Sequence, residues 1–200
     1  MAGEFATRTR ERLRHEVLDA AEELVLARGW RGLRMQAIAA RVGVSRQTVY
    51  NEFVNKDRLA RALALRLADR MLDGVDTALL TGDDLRSAWS AAARQCLRAA
   101  SEDPLLKAML SGEDGSSADF LPLLTSDAGV VTLARRRIAA TVCRRWPALD
   151  PDRVAVAAEA AIRLVISHIV LPLHPAEEVA EQTSWLVSGF LGPAAEAAPA

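Results

Sequence analysis

MQAIAARVGVSRQTVYNEFVNKDRL, residues 35–59, is the stretch from which the rest of the chain can be read. Met35, Ile38, Ala39 and Val42 recur at helical spacing, so a short helix from about Arg34 to Arg41 turns one face inward. Ala39 is small enough there to let a following helix cross closely. Gly43 breaks the helix, because glycine reaches positive φ without a steric cost. Ser45 has the side chain of an N-cap and opens the next helix, Arg46 to Phe53. Val44 and Val49 can pack back onto Ile38 and Val42. Two short helices joined by a tight glycine-containing turn make a helix-turn-helix.

The helix Arg46–Phe53 divides cleanly by face. Val49 and Phe53 are four residues apart and point inward, whereas Arg46, Gln47, Tyr50 and Asn51 lie opposite. An arginine can grip guanine O6 and N7, a glutamine can pair with adenine, and a threonine methyl can touch thymine. A helix N-terminus also favours phosphate. Arg46, Gln47 and Thr48 are therefore candidates for base contacts, with Ser45 beside them at the helix start. Tyr50, Asn51 and Lys56 are candidates for phosphate contacts, which set position more than sequence. The bland alternative is a solvated polar face on an ordinary helix. Against it stands the joint spacing of Ala39, Gly43, Val44, Ser45, Tyr50, Phe53 and Lys56.

Outward from this stretch the pattern stays helical. Leu13, Val17, Leu18, Ala21, Leu24 and Val25 mark an amphipathic helix from about Thr9 to Arg28, which Gly29 closes before the connection Trp30–Gly32. Asn55–Asp57 separates the third helix from a fourth that reaches about Leu80. Asp83 or Asp84 can cap a helix to about Ser101, and Pro104 suits the first turn of a short one ending near Gly112. Glu113 to Ala118 reads as a mobile Gly/Ser-rich segment. Further helices run from about Asp127 to Trp146, from Asp150-Pro151 to Leu171, and from Pro175 to Gly192. The Ala/Pro-rich tail from Pro193 is expected to fray. About nine helices and no strand pattern predict an all-α fold.

Composition agrees and excludes several classes. Half of the 200 residues are apolar, which suffices for a packed core, and the net charge is −1. Residues 1–60 carry +3 and residues 61–200 carry −4, so a basic head joins an acidic body. The two cysteines, Cys96 and Cys143, fit neither a disulfide framework nor zinc spacing. They read as buried thiols in a reducing cytosol. The first residues lack the apolar run of a signal peptide. The long apolar stretch Val154–Leu173 carries Glu159, Arg163 and His168, so it reads as a buried or interfacial helix and not a membrane span. A cytoplasmic protein with no membrane partner is expected. No paired carboxylates, Ser/His/Asp set or metal constellation is evident, and His15, His168 and His174 are scattered. A helical enzyme is therefore the remote alternative, and no cofactor or metal is expected.

The motif residues resemble the tetracycline-repressor (TetR) family of bacterial regulators. The likeness covers Val17 to Leu63: the run Val17–Ala21, Gly29, Ile38-Ala39, Val42–Ser45, Thr48–Tyr50, Phe53, Lys56 and Leu59. It implies an all-helical homodimer with a DNA-binding domain at residues 1–56. Residues 57–200 would form a ligand-binding and dimerisation domain, whose last two helices build a four-helix bundle with the partner. It also implies that Arg46, Gln47 and Thr48 read bases while Tyr50 and Lys56 hold the backbone. The family usually opens its second helix with Thr or Ser, which caps it and touches phosphate. Arg34 stands there instead; it cannot cap in that way but can reach a phosphate with more charge.

The body carries no further motif. Ala158, Ile162, Val165 and Ile169 on one helix, with Trp185, Leu186 and Phe190 on the last, are more apolar than one core requires, which predicts a dimer interface. Trp89, Cys96, Leu106, Met109 and Phe120 are candidates for lining an inducer pocket. Leu124, Val131 and His168 complete that set, and its character favours a hydrophobic ligand. The expected function is a repressor released from a pseudo-palindromic double-stranded operator by a small inducer. An activator, or a regulator without inducer, is the alternative.

Overall fold

The computed structural model describes residues 2–110, 117–125 and 128–192. These form ten helical segments and no strand. In order they are α1 (Ala2–Gly32), α2 (Met35–Val42), α3 (Arg46–Phe53), α4 (Lys56–Thr81) and α5 (Leu85–Glu102). They continue with α6 (Pro104–Leu110), α7 (Ser117–Thr125), α8 (Ala128–Arg145), α9 (Pro151–Val170) and α10 (Ala176–Leu191). The expected Gly/Ser-rich segment at 113–118 lies outside the described residues except for its end, where Ser117 and Ala118 already belong to α7. The expected frayed tail from Pro193 lies outside them altogether.

Several boundaries differ from expectation for local reasons. Gly29 takes φ 70° and kinks α1, but the chain regains helical form through Gly32. The α3–α4 connection is only Val54-Asn55, because the Asn55 side chain accepts a hydrogen bond from the Arg58 N–H at 2.9 Å and starts α4 at Lys56. The short helix α7 was not anticipated; its Pro122 lies inside the helix, where proline is ordinarily a breaker.

The chain forms two compact units. Residues 1–64 and 104–120 make the first, and residues 65–103 and 121–200 make the second. The opening turns of α4 thus belong with the helix-turn-helix, beyond the expected division after residue 56. In the first unit α1 packs on α2 and on α6, and α2 packs on α3. Val17, Val25, Ile38, Val49, Phe53, Leu59 and Leu63 are all fully or almost fully buried there.

The second unit is built around a larger core. Leu72, Val75 and Leu79 of α4 meet Trp89 and Ala92 of α5, Ile138 and Val142 of α8, and Val154, Ala158 and Ile162 of α9. Two caps set its helices in place. Asp84 accepts from the Ser87 N–H at 2.8 Å while the Ser87 hydroxyl accepts from the Asp84 N–H at 3.1 Å, a capping box. Asp150 accepts from the Asp152 N–H at 2.8 Å, with Pro151 at the first helical position. Arg137 of α8 pairs with Asp69, Asp73 and Asp76 of α4, and Thr141 donates to Asp76 at 2.9 Å. The hydrogen bond to Asp73, followed by the one to Asp76 and the charges of both carboxylates, holds that guanidinium's pKa above its usual value against the opposing effect of burial.

Gly82 stands at a close approach of backbone to backbone in this unit. A Cβ there would stand 2.6 Å from Ala88 Cα, on backbone that cannot swing away. Its carbonyl also accepts from Arg145 at 2.8 Å. Gly82→Ala should therefore destabilise the protein by about 1–3 kcal/mol, the usual cost of overpacking. Urea unfolding would measure this, and an unchanged midpoint would contradict it.

Candidate nucleic-acid interface

The turn between α2 and α3 is set by two residues. Gly43 adopts the left-handed conformation (φ 78°, ψ 27°), and its N–H bonds to the Ala39 carbonyl at 3.0 Å. Ser45 then caps α3 by accepting from the Thr48 N–H at 3.0 Å. Its hydroxyl also lies 2.8 Å from that of Thr48, so both hydroxyls are held at the helix start. Arg34 flanks α2 as expected: its side chain makes no capping hydrogen bond and is exposed.

Burial separates the faces of α3. Val49 is 0% exposed and Phe53 2%, whereas Arg46, Gln47 and Asn51 face solvent. Thr48 and Tyr50 are half-buried. The outward side chains are paired one turn apart. Arg46 donates to the Tyr50 hydroxyl at 3.3 Å and lies 5.1 Å above its ring. Gln47 donates to the Asn51 carbonyl oxygen at 2.8 Å. These pairs narrow the rotamers each side chain must give up on meeting DNA. Asn51, expected at phosphate, thus stands beside the base-reading candidate Gln47.

Lys56 is differently engaged. Its ammonium donates to the Trp30 carbonyl at 2.6 Å and sits 4.6 Å above the Trp30 ring. Trp30 is 2% exposed and meets Phe120 edge-on, with ring centroids 4.5 Å apart. Lys56 therefore ties the start of α4 to the end of α1. The sequence reading missed this seat because Trp30 falls in what reads as a plain connection.

Residues 17–63 match the family described as bacterial regulatory proteins, tetR family. Residues 84–189 match the C-terminal domain of the bacterial tetracyclin repressor. The chain belongs to the TetR family. It is a DNA-binding transcriptional regulator with a helix-turn-helix reader, and TetR relatives of known role place it among regulators. The HTH-type transcriptional regulator AlkX of Mycobacterium tuberculosis is 34% identical over 188 residues, covering 93% of this chain and 88% of AlkX. The HTH-type transcriptional activator FasR of Mycolicibacterium smegmatis is 37% identical over 83 residues, 42% of this chain and 38% of FasR. Among solved TetR structures, the repressor AlkX from Dietzia sp. strain DQ12-45-1b, implicated in n-alkane biodegradation, has a TM-score of 0.75. It is 28% identical, and the match covers 89% of this chain and 94% of that one.

The candidate pocket residues of this TetR chain fall in both compact units. Leu106, Met109 and Phe120 are buried in the first. Trp89 and Val131 are buried in the second, where Cys96, Leu124 and His168 are half-buried. Trp89 Nε1 and His168 Nδ1 are shielded from solvent and have no hydrogen-bond partner among the described residues. Burial pushes the Cys96 thiol up to about 11. The neutral thiol therefore adds stability below its ordinary value of 9.0, and that contribution is lost as pH rises through about 11. Cys96 should accordingly react slowly with a thiol-specific reagent at pH 8 and quickly once the protein is unfolded. Rapid labelling of folded protein at that position would contradict its burial.

The expected dimer residues divide. Ala158, Ile162 and Val165 are buried in their own chain's core, and Ile169 packs partly against it. Trp185, Leu186 and Phe190 are exposed at 66%, 65% and 44%. The outward side of α9 lies elsewhere on the helix, at Val156 (58% exposed), Ala160 and Ser167. Gly189 is exposed as well, and nothing would meet a Cβ there within 4 Å. Val156 and Ala160 share that outward side with Glu159 and Arg163, which pair with each other at 2.9 Å, so the inner face is the more apolar of the two and periodicity picks it. Among the described residues no group of three or more His, Cys, Asp or Glu side chains could hold a metal ion. No described helix is long and apolar enough to cross a membrane.

Proposed function

We propose that this protein is a homodimeric repressor, freed from a pseudo-palindromic operator by a small hydrophobic inducer. The observation that carries the reading is the outward face of α3. Arg46 and Gln47 are exposed there on a helix locked from behind by Val49 and Phe53. Such a face suits the major groove, with Thr48 completing the base contacts and Arg34, Ser45 and Tyr50 reaching phosphates. Asn51 acts through Gln47, and Lys56 would reach a phosphate from its seat on Trp30.

The second subunit would cover Val156, Trp185, Leu186 and Phe190. Monomeric soluble proteins rarely leave such a patch in water. Arg86 over the Trp185 ring at 5.2 Å and Arg153 over Phe190 at 5.1 Å would rim it. Ala160 and Gly189 would let the paired helices approach closely. A hydrophobic inducer fits the candidate lining residues of the second unit, Trp89, Cys96, Leu124 and Val131, and the unpartnered Trp89 Nε1 and His168 Nδ1 there would supply its few polar anchors. The Dietzia relative's place in n-alkane biodegradation supports the same chemistry. Binding would change the spacing of the two recognition helices from about one DNA turn, ~34 Å, so both half-sites could no longer be held together.

The test is selection from a random-sequence duplex library, followed by band-shift of the selected operator with n-alkanes of graded length added. A palindromic consensus and release by one length class are expected. A folded protein that selects no sequence at moderate salt would refute the reading. The match to the activator FasR favours one variation, in which the same binding site lies upstream of a promoter and activates it.

A further inference from the structure

Glu52 is an acid on the DNA-reading helix, where phosphates would repel it, yet its side chain is only 6% exposed. Two arginines one turn apart on α1 account for this. Arg10 donates to Glu52 Oε2 at 2.7 Å and Arg14 to Oε1 at 3.0 Å, so each carboxylate oxygen has its own charged donor. The Arg14 guanidinium also lies 4.8 Å above the ring of Phe53, the next residue of α3. Both arginines precede residue 17, where the TetR match begins.

We propose that the N-terminal turns of α1 are a clamp: Arg10 and Arg14 grip Glu52 and set the rotation of α3 about its own axis. They are positioning residues for base reading, not phosphate contacts. A buried carboxylate is tolerable only with charged donors well placed around it, so the helix has one favourable rotation. Glu52 lies four residues after Thr48 and directly follows Asn51. A turn of α3 would therefore displace Arg46, Gln47 and Thr48 from the base edges together. Because the carboxylate cancels part of the arginine charge, the clamp adds discrimination without adding general attraction to DNA. The inference rests on reading α3 as the base-contacting helix.

The test compares Glu52→Gln, the pair Arg10→Gln with Arg14→Gln, and all three changes together, in the full chain. Each is titrated with the wild-type-selected operator and with a scrambled duplex of equal length, across a salt series. Circular dichroism checks folding. Operator affinity should fall about tenfold in each variant, because a small misplacement of reading groups removes directional contacts. Affinity for the scrambled duplex should change by less than about twofold, the salt slope should hold, and the triple variant should be no worse than either. If the arginine changes weaken both duplexes and flatten the salt slope while Glu52→Gln leaves operator preference intact, the arginines are phosphate contacts and the clamp is wrong. Equal tightening on both duplexes by Glu52→Gln would reduce Glu52 to a bulk charge and also overturn it. Should Glu52→Gln not fold, Arg14→Lys keeps the charge but loses the planar fork, and the same fall in preference is expected. Wild-type protein that selects no sequence refutes the reading of α3 itself, and the clamp with it.

Discussion

Replacing Trp185 and Leu186 together with glutamate should leave a folded monomer that binds the operator about a hundredfold more weakly or worse. The two side chains are 66% and 65% exposed and touch little of their own core, so the fold has small reason to fail. Two carboxylates at the centre of an apolar face cannot be buried without a heavy desolvation cost. Separated subunits then bind each half-site independently and lose the high effective concentration that a tether provides. Sedimentation or light scattering reads the mass, and band-shift reads the affinity. A double variant that stays dimeric would move the interface elsewhere on the chain.

Arg46→Ala should cost about 1–3 kcal/mol of operator affinity and relax the preference at one guanine in each half-site. Arg46 is exposed and on the surface of α3, so thermal stability should hardly move. Its contact with Tyr50 presents the guanidinium along the helix, and alanine removes both the donors and that presentation. Repeating the library selection with the variant reads the effect directly. An unchanged consensus would assign base reading to other side chains, with Gln47 first among them.

Most of the reader was legible because its signals are local. Gly43 needs positive φ, Ser45 caps within three residues, and Val49 and Phe53 share a face through helical geometry alone. The caps at Asp84 and Asp150 were readable for the same reason. Helix α7 was not, since Pro122 within it speaks against a helix. The faces of α9 also escaped, because alanine and valine occupy both sides, and hydrophobicity cannot say which side a neighbour already covers. The helices packed on α9, which are α8, α10 and α5, decide that Ala158 turns inward and Val156 outward.

The chain's own order of residues determined an all-helical protein, the tight turn at Gly43 and a donor-rich face on α3, for each depends on neighbours within a turn or two. Tertiary structure alone decided that Lys56 rests on Trp30, that Glu52 lies between Arg10 and Arg14, and which stripe of α9 faces water. Those pairings join residues 26 to 42 positions apart or depend on a third helix. Contacts at that distance leave no periodic trace in a sequence, because what brings them together is packing of whole helices.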